Sequence, residues 1–114
     1  MSSIKILLVE DNEFNQFFAN TILEKYQANV ELADNGEIAI RMLQDKKFDL
    51  VIMDLEMPVL DGYAAIDIIR TKLNLKIPII ALTANVMTEF IRMAINAGAD
   101  DYLIKPYELS LIHI

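Results

Sequence analysis

The stretch VIMDLEMPVLDG, residues 51–62, decides the fold of this chain. It opens with a short apolar run, which is typical of a strand buried on both faces of a parallel sheet. Asp54 ends that run, so its carboxylate is expected at the carboxyl end of the strand. Ligands of open α/β sheets bind at that edge, which makes Asp54 a candidate site residue. The alternative is a helix-capping or loop aspartate, and Asp54 taken alone favours that interpretation.

The composition indicates one folded domain. The chain has 114 residues, of which 54% are hydrophobic, and a formal net charge of −7. That acidity argues against a nucleic-acid or anionic-membrane surface, because both need clustered lysine and arginine. The absence of cysteine excludes thiol catalysis and cysteine metal sites. No apolar run approaches the roughly 20 residues of a membrane helix, so a cytoplasmic protein without membrane contact is expected.

Strand and helix patterns alternate along the chain. Apolar or alternating runs predict strands over residues 4–9, 29–33, 51–54, 77–82 and 102–104. Helical spacing predicts helices starting near residues 13 and 37, and over residues 63–72 and 87–97. Asn12 is a predicted cap of the first helix, in which Phe14, Phe17, Phe18 and Ile22 repeat at helical spacing. Gly98 has the position of a left-handed cap that ends the fourth helix.

This alternation predicts an α/β fold with a doubly wound, five-stranded parallel sheet. The second and fifth strands are the shortest and most polar, so they are placed at the edges. The resulting order, 2-1-3-4-5, is the flavodoxin-like winding. Only eight residues follow Pro106, so the last helix is expected to be short or truncated. A truncated last helix would leave apolar surface near the fifth strand uncovered, which predicts dimerisation or modest stability.

Polar residues follow four of the predicted strands at one edge of the sheet. They are Glu10 and Asp11 after the first strand, Asp54 after the third, Thr83 after the fourth and Lys105 after the fifth. Carboxylates brought close together repel one another, and Mg²⁺ or Mn²⁺, which prefer oxygen ligands, would remove that cost. A hydroxyl and a positive charge beside them suit a phosphoryl group. A carboxylate can also be the nucleophile that forms an aspartyl-phosphate.

Each of these residues also has a simpler interpretation. Glu10 and Asp11 could be charges that favour a helix N-terminus. Thr83 could cap the following helix, and Lys105 could be a solvated lysine of an edge strand. The joint occurrence of these residues at the strand ends favours the site.

The chain resembles the receiver domain of two-component response regulators over almost all of residues 1–114. Four segments carry the resemblance: ILLVEDN (6–12), VIMDLEMPVLDGY (51–63), PIIALTAN (78–85) and AGADDYLIKP (97–106). One segment alone is a modest signal, whereas four in the right order and spacing are specific. The chain is expected to be either a stand-alone receiver or one excised from a larger protein. The VEDN and ALTAN segments are similar to those of receivers attached to hybrid sensor kinases, which favours such a kinase as the source.

The resemblance implies a phosphoacceptor and a metal site. Asp54 would take a phosphoryl group from a phosphohistidine on a sensor histidine kinase or a histidine phosphotransfer protein. Asp11, Asp54 and the main-chain carbonyl of Glu56 would bind Mg²⁺ directly, and Glu10 would act through metal-bound water. Such a domain is a signalling switch and not an enzyme that turns over an external substrate.

The resemblance also implies residues for phosphoryl binding and switching. Thr83 and Lys105 would hold the phosphoryl oxygens. Tyr102 would be the switch aromatic, coupled to Thr83 and to the face formed by the fourth helix, fifth strand and last helix, through which a homodimer is possible; core filling is its simpler role. The bond between Lys105 and Pro106 is expected to be cis.

Two positions are expected to modulate the lifetime of the phosphoryl group. They are Glu56, two residues after Asp54, and Asn85, two residues after Thr83. A carboxylate at Glu56 would repel or misorient attacking water, so we expect a long-lived aspartyl-phosphate. An unchanged half-life in Glu56→Asn would count against this hypothesis.

Two other functions remain as alternatives. One is a degenerate receiver that acts only through protein contacts, against which the complete set of site residues argues. The other is a phosphatase with an aspartyl nucleophile, but such enzymes typically carry a second aspartate at the position of Glu56. His113 is the only histidine and lies near the chain end, so there is no basis for autokinase activity.

Overall fold

The computed structural model describes residues 4–57, 60–84 and 87–105, in which strands and helices alternate. The strands are β1 (Lys5–Val9), β2 (Asn29–Ala33), β3 (Leu50–Asp54), β4 (Ile79–Thr83) and β5 (Asp101–Ile104). The helices are α1 (Glu13–Glu24), α2 (Gly36–Asp45), α3 (Gly62–Thr71) and α4 (Thr88–Ala97). The predicted last helix and the Lys105–Pro106 bond, with Pro106 itself, lie outside the described residues.

The five strands form one parallel sheet in the order β2-β1-β3-β4-β5. This confirms the predicted winding, with the two most polar strands at the edges. The register pairs Val9 with Met53, and Asp54 with Leu82. The carboxyl ends of β1, β3 and β4 therefore lie side by side at one edge of the sheet.

The sheet separates two hydrophobic clusters. The larger cluster packs β-strand side chains such as Val51 and Met53 against α2 and α3, with Ala94 of α4. The smaller cluster packs Ile52 and neighbouring strand residues against α1. Residues 6–9 of β1 and 51–54 of β3 are buried on both sides, because each central strand is covered by helices on either face. Complete burial of one such aliphatic side chain contributes about 1.5–3 kcal/mol.

Side-chain caps and a glycine set the helix ends. The side chain of Asn12 accepts a hydrogen bond from the N–H of Asn15, as predicted, and Asn35 and Asp61 cap α2 and α3 in the same way. Gly98 ends α4 with φ of 126°, a backbone conformation that side chains with a Cβ rarely adopt. The prediction of a glycine cap is therefore confirmed.

The apolar residues at helical spacing in α1 do not all lie on its buried face. Phe18 and Ile22 pack on the smaller cluster, whereas Phe14 is 68% exposed and Phe17 is 74% exposed. The buried stripe runs through the small Ala19, and a rotation of about 100° per residue places Phe17 on the opposite side of the helix. The large aromatic residues therefore do not mark the packing face.

β4 begins two residues later than predicted. Pro78 has no N–H to donate to a neighbouring strand, and its carbonyl accepts a hydrogen bond from Val51. The regular strand starts only at Ile79. None of the described helices is long and apolar enough to cross a membrane.

Candidate functional site

The buried polar residues of the described chain lie at one edge of the sheet. They are Glu10, Asp54 and Thr83, and each is at most 1% exposed. Each follows or ends a central strand, so the parallel register brings them together. Burial of polar groups is costly unless partners or ligands compensate, which indicates a functional site here.

Asp54 is the centre of this site. Its Oδ1 atom accepts hydrogen bonds from Nζ of Lys105 at 2.6 Å and from the N–H of Glu56 at 3.1 Å. Its Oδ2 atom is buried and has no hydrogen-bond partner among the described residues. A buried carboxylate oxygen without a partner is costly, and a metal ion would satisfy it.

The acidic residues predicted as metal ligands come together. Glu10, Asp11 and Asp54 each offer a carboxylate oxygen, and these oxygens lie within 4.8 Å of one another. Asp11 is exposed while the other two are buried, so the group opens to solvent on one side. An all-oxygen set of this kind suits Mg²⁺ or Mn²⁺. The donor set and the unpartnered oxygen of Asp54 therefore fit the expected ion.

Burial and neighbouring charges shift the pKa values of Glu10, Asp54 and Lys105. Burial raises the pKa of Glu10 from 4.5 to about 7, and the neighbouring Asp54 adds to the effect. Burial also raises the pKa of Asp54, although Lys105 opposes the shift. Burial disfavours the charged form of Lys105, but its hydrogen bond and attraction to Asp54 outweigh this and raise its pKa. Lys105 therefore remains a fixed positive charge beside the two acids.

Lys105 holds a central position although it follows an edge strand. Its side chain is 15% exposed and reaches Asp54 and, at 3.8 Å, Oε1 of Glu10. The main-chain N–H of Lys105 donates to the carbonyl of Thr83, which fixes the end of β5 against β4. The simpler interpretation of a solvated edge lysine is therefore wrong.

The side chain of Glu56 makes contacts that the sequence did not indicate. Its Oε1 atom accepts hydrogen bonds from Oγ1 of Thr83 at 3.3 Å and from the N–H of Ala84 at 2.9 Å. The sequence predicts only a role for the Glu56 main-chain carbonyl and an effect of Glu56 on phosphate lifetime. The sequence could not identify the N–H of Ala84 as a donor at this site, because every residue except proline carries a main-chain N–H.

Gly62 packs against the backbone of Asp54 and Leu55. A Cβ atom at this position would lie 2.3 Å from the carbonyl oxygen of Asp54 and 2.7 Å from Cα of Leu55. The N–H of Gly62 donates to the carbonyl of Leu55. The start of α3 therefore packs directly on the backbone that carries Asp54, and only glycine allows this approach.

The remaining predicted residues differ in placement. Tyr102 is half-buried and packs against the larger cluster. It pairs in register with Ala81, so it projects from the same face of the sheet as Thr83, but its coupling to Thr83 stays a prediction. Asn85 lies outside the described residues.

Comparison with known proteins identifies the family. Residues 6–114 match the response regulator receiver domain. This chain belongs to the response regulator receiver family. As a receiver domain it is part of two-component signalling, and its winding is the fold of its structural neighbours.

Curated relatives of this receiver domain are sensor kinases. It is 40% identical over 106 residues to the sensor histidine kinase GacS of Pseudomonas protegens, a match that covers 90% of this chain and 12% of the kinase. It is 40% identical over 113 residues to hybrid signal transduction histidine kinase M of Dictyostelium discoideum, covering 94% of this chain and 5% of that protein. The receiver domain therefore spans only a small part of these relatives.

Solved structures share the fold throughout. The receiver domain of a sensor histidine kinase from Pseudomonas aeruginosa PAO1, with a magnesium ion coordinated in its active-site cleft, has a TM-score of 0.87 and 38% identity, covering 96% of this chain and 91% of that one. The receiver domain of Ssk1, co-crystallised with the phosphotransfer protein Ypd1 of Saccharomyces cerevisiae, has a TM-score of 0.84 and 36% identity, covering 91% and 79%.

Proposed function

We propose that this receiver domain is a phosphoacceptor switch of a two-component phosphorelay and that Asp54 accepts the phosphoryl group. The observation that carries the proposal is the environment of Asp54. Its buried carboxylate ends β3, and one of its oxygens pairs with Lys105. The other oxygen has no hydrogen-bond partner within the part of the chain that the structure describes. Two further acids lie beside it. The proposal treats residues 1–114 as one domain.

The chemical step is an in-line phosphoryl transfer. A carboxylate oxygen of Asp54 forms a bond to phosphorus as the bond from phosphorus to the donor's imidazole nitrogen breaks. The imidazole keeps the electron pair of that bond and takes a proton from solvent. Lys105 offsets the negative charge that gathers around Asp54, and the Thr83 hydroxyl and the Ala84 N–H donate hydrogen bonds to phosphoryl oxygens. Catalysis of this kind consists mostly of positioning and charge neutralisation.

A divalent cation completes the proposed site. Asp11, Asp54 and the main-chain carbonyl of Glu56 would hold Mg²⁺, with Glu10 acting through metal-bound water. The ion would neutralise charge on the transferring phosphoryl oxygens. Because the carboxylate oxygens already lie within 4.8 Å of one another, little rearrangement of these side chains is required.

The relatives support a histidine kinase or a phosphotransfer protein as the partner. Ssk1, a receiver of 36% identity, was crystallised with the phosphotransfer protein Ypd1. Since the curated relatives are much longer than this chain, we propose that it is the receiver of a hybrid sensor kinase. The proposed homodimer face includes the last helix, which lies outside the described residues.

Modification of Asp54 would favour one of two conformers already present in solution. Tyr102, on the sheet face it shares with Thr83, is proposed to follow that change. Glu56 and Asn85 are proposed to slow hydrolysis of the aspartyl-phosphate. The domain thus changes its own state and turns over no external substrate.

The test is phosphorylation by a small phosphodonor. The chain is incubated with Mg²⁺ and phosphoramidate, and intact mass is measured for wild type, Asp54→Ala and the control Asp45→Ala, an exposed aspartate at the opposite edge of the sheet. One base-labile phosphoryl group is expected in wild type and in the control, and none in Asp54→Ala. A folded wild-type protein without an adduct would favour the contact-only receiver instead.

A further inference from the structure

We propose that the Glu56 side chain is an internal substitute for the phosphoryl group. In the unphosphorylated chain its carboxylate occupies the hydrogen-bond donors at the end of β4, and the incoming group displaces it. The inference rests on the proposed function and adds a competitor within the same site.

Glu56 forms hydrogen bonds both with Asp54, at the end of β3, and with residues at the end of β4. Its main-chain N–H donates to Oδ1 of Asp54 at 3.1 Å. Its own Oε1 accepts from Oγ1 of Thr83 at 3.3 Å and from the N–H of Ala84 at 2.9 Å. One hydroxyl and one main-chain N–H converging on a single anionic oxygen are the elements of an oxyanion site. In this structure the anion bound there is a side chain of the same protein.

The carboxylate and a phosphoryl group compete for the same place. Both are anions, and a phosphoryl group on Asp54 needs donors for its oxygens. Thr83 projects from the strand next to Asp54, since Asp54 pairs in register with Leu82. Repulsion between a Glu56 carboxylate and phosphoryl oxygens bound at the same donors is large at such short distances. The two anions therefore cannot share these donors.

Glu56 is able to leave at small cost. Its side chain is exposed, as is Ala84, whereas Thr83 is 1% exposed. A displaced carboxylate recovers its hydration in water, while the buried hydroxyl of Thr83 gains a phosphoryl oxygen in exchange. Exposed hydrogen bonds and charge pairs are weak. Glu56 therefore slows acquisition of the phosphoryl group without preventing it.

The inference predicts a gain on removing the carboxylate. Glu56→Ala removes the competing carboxylate from both donors and is expected to raise the rate of phosphorylation by phosphoramidate about three- to tenfold, the effect of losing one competing hydrogen-bonded anion. Glu56→Gln keeps an acceptor oxygen but loses the charge, so an intermediate rate is expected. The main-chain carbonyl proposed as a metal ligand is present in every variant.

The experiment measures the rate at a limiting phosphodonor concentration, with Mg²⁺ saturating for each variant. Binding of beryllium trifluoride, a stable mimic of the phosphoryl group, is titrated in parallel and is expected to tighten by a similar factor. Glu37→Ala is the matched control, because it removes another exposed glutamate at the same edge of the sheet, in the first turn of α2. Its rate is expected to stay near that of wild type.

The amide NMR signal of Ala84 reports the contact itself. It is expected to shift when beryllium trifluoride binds to wild type, and to be already displaced in free Glu56→Ala. Equal or lower rates and affinities in Glu56→Ala than in wild type would overturn the inference while leaving the phosphoacceptor intact. A wild type that takes up no phosphoryl group would instead overturn the proposed function.

Discussion

Nζ of Lys105 lies 2.6 Å from Oδ1 of Asp54, and the carboxylate is fully buried. This ion pair connects the edge strand β5 to the central strand β3 across the end of β4. Breaking a buried pair by removing one partner leaves an uncompensated charge. Lys105 therefore favours the ionised form of Asp54, in a place where burial raises the pKa of that carboxyl group.

Removal of the Lys105 charge is expected to slow phosphorylation. In Lys105→Met the pKa of Asp54 rises further, because its main opposing interaction is lost, and less of the carboxylate is available as a nucleophile. We expect the rate with phosphoramidate to fall by at least about tenfold. The control is Lys46→Met, which removes the exposed lysine paired with Glu31. A comparable loss in the control, or none in Lys105→Met, would contradict the role of the buried pair.

Mg²⁺ is expected to stabilise the folded chain through Asp11. Binding to the folded state alone raises the free energy of unfolding by about 2.7 kcal/mol at a concentration one hundred times the dissociation constant. Thermal unfolding with and without Mg²⁺ should show this shift in wild type and in Asp45→Asn, but not in Asp11→Asn. Without Mg²⁺, Asp11→Asn should be at least as stable as wild type, because it relieves repulsion among the three carboxylates. A full Mg²⁺ shift in Asp11→Asn would exclude Asp11 as a ligand.

The free energy of unfolding of the metal-free chain is expected to fall as pH rises, because Glu10 loses its proton. Burial first, and Asp54 second, raise the pKa of Glu10 to about 7, against 4.5 for an unperturbed glutamate. Between these values the folded state binds more protons than the unfolded state, so the free energy of unfolding falls as pH rises. The whole change is about 3 kcal/mol and is complete above pH 7.

Urea unfolding across this pH range, with a chelator present, measures the effect. Glu10→Gln should weaken the dependence and leave the part due to the raised pKa of Asp54, while Glu89→Gln, at an exposed position on α4, should retain all of it. Stability that rises from pH 4.5 to 7 in wild type would contradict this assignment to Glu10.

Arg70 is expected to stabilise the fold by connecting the segments that precede β4 and β5, at the end of the sheet away from the site. Its guanidinium donates to the carbonyls of Gly98, Leu75 and Ile77 and to a carboxylate oxygen of Asp100. The Asp100 carboxylate is largely exposed, and exposed pairs contribute little. Most of the loss in Arg70→Ala therefore comes from the three carbonyls, and a decrease of about 2–3 kcal/mol is expected.

Chemical denaturation measures this decrease, and Arg41→Ala, at an exposed position on α2, is the control. Mg²⁺ binding should be unchanged in both variants, since neither residue contacts the acidic group. A decrease below about half a kcal/mol in Arg70→Ala would show that water replaces these hydrogen bonds.

The exposed aromatic face of α1 is expected to matter for the protein partner. Phe14 lies in the first turn of α1, three residues after Asp11, and Phe17 lies in the following turn. A phosphohistidine must approach Asp54 closely, so its carrier would cover this face. Phe17→Ala is expected to slow transfer from a phosphohistidine protein about tenfold but to leave phosphoramidate labelling unchanged. Ile95→Ala, at an exposed apolar position on α4, is the control, and an equal loss there would argue against α1.

The winding of the sheet and the residues expected at its carboxyl edge could both be predicted from the order of residues in the chain. Strands buried on both faces read as continuous apolar runs, and the two polar runs could only be edges, so the order 2-1-3-4-5 followed. Since parallel strands share one carboxyl edge, the residues after the strands had to meet there. Glu10, Asp54 and Thr83 were found in this way.

The pairing of atoms within the site and the exposure of helix faces could not be predicted in the same way, because both depend on packing between elements. The contact between Lys105 and Asp54 and the contacts of Glu56 with Thr83 and Ala84 depend on side-chain positions, which residue order does not encode. Phe14 and Phe17 followed the helical period but lie exposed, because the buried face of α1 runs through Ala19, Ile22 and Leu23. The need for glycine at position 62 follows from its close contact with the Asp54 backbone. Each of these features arises from packing between segments distant in the chain, and local sequence patterns carry no record of it.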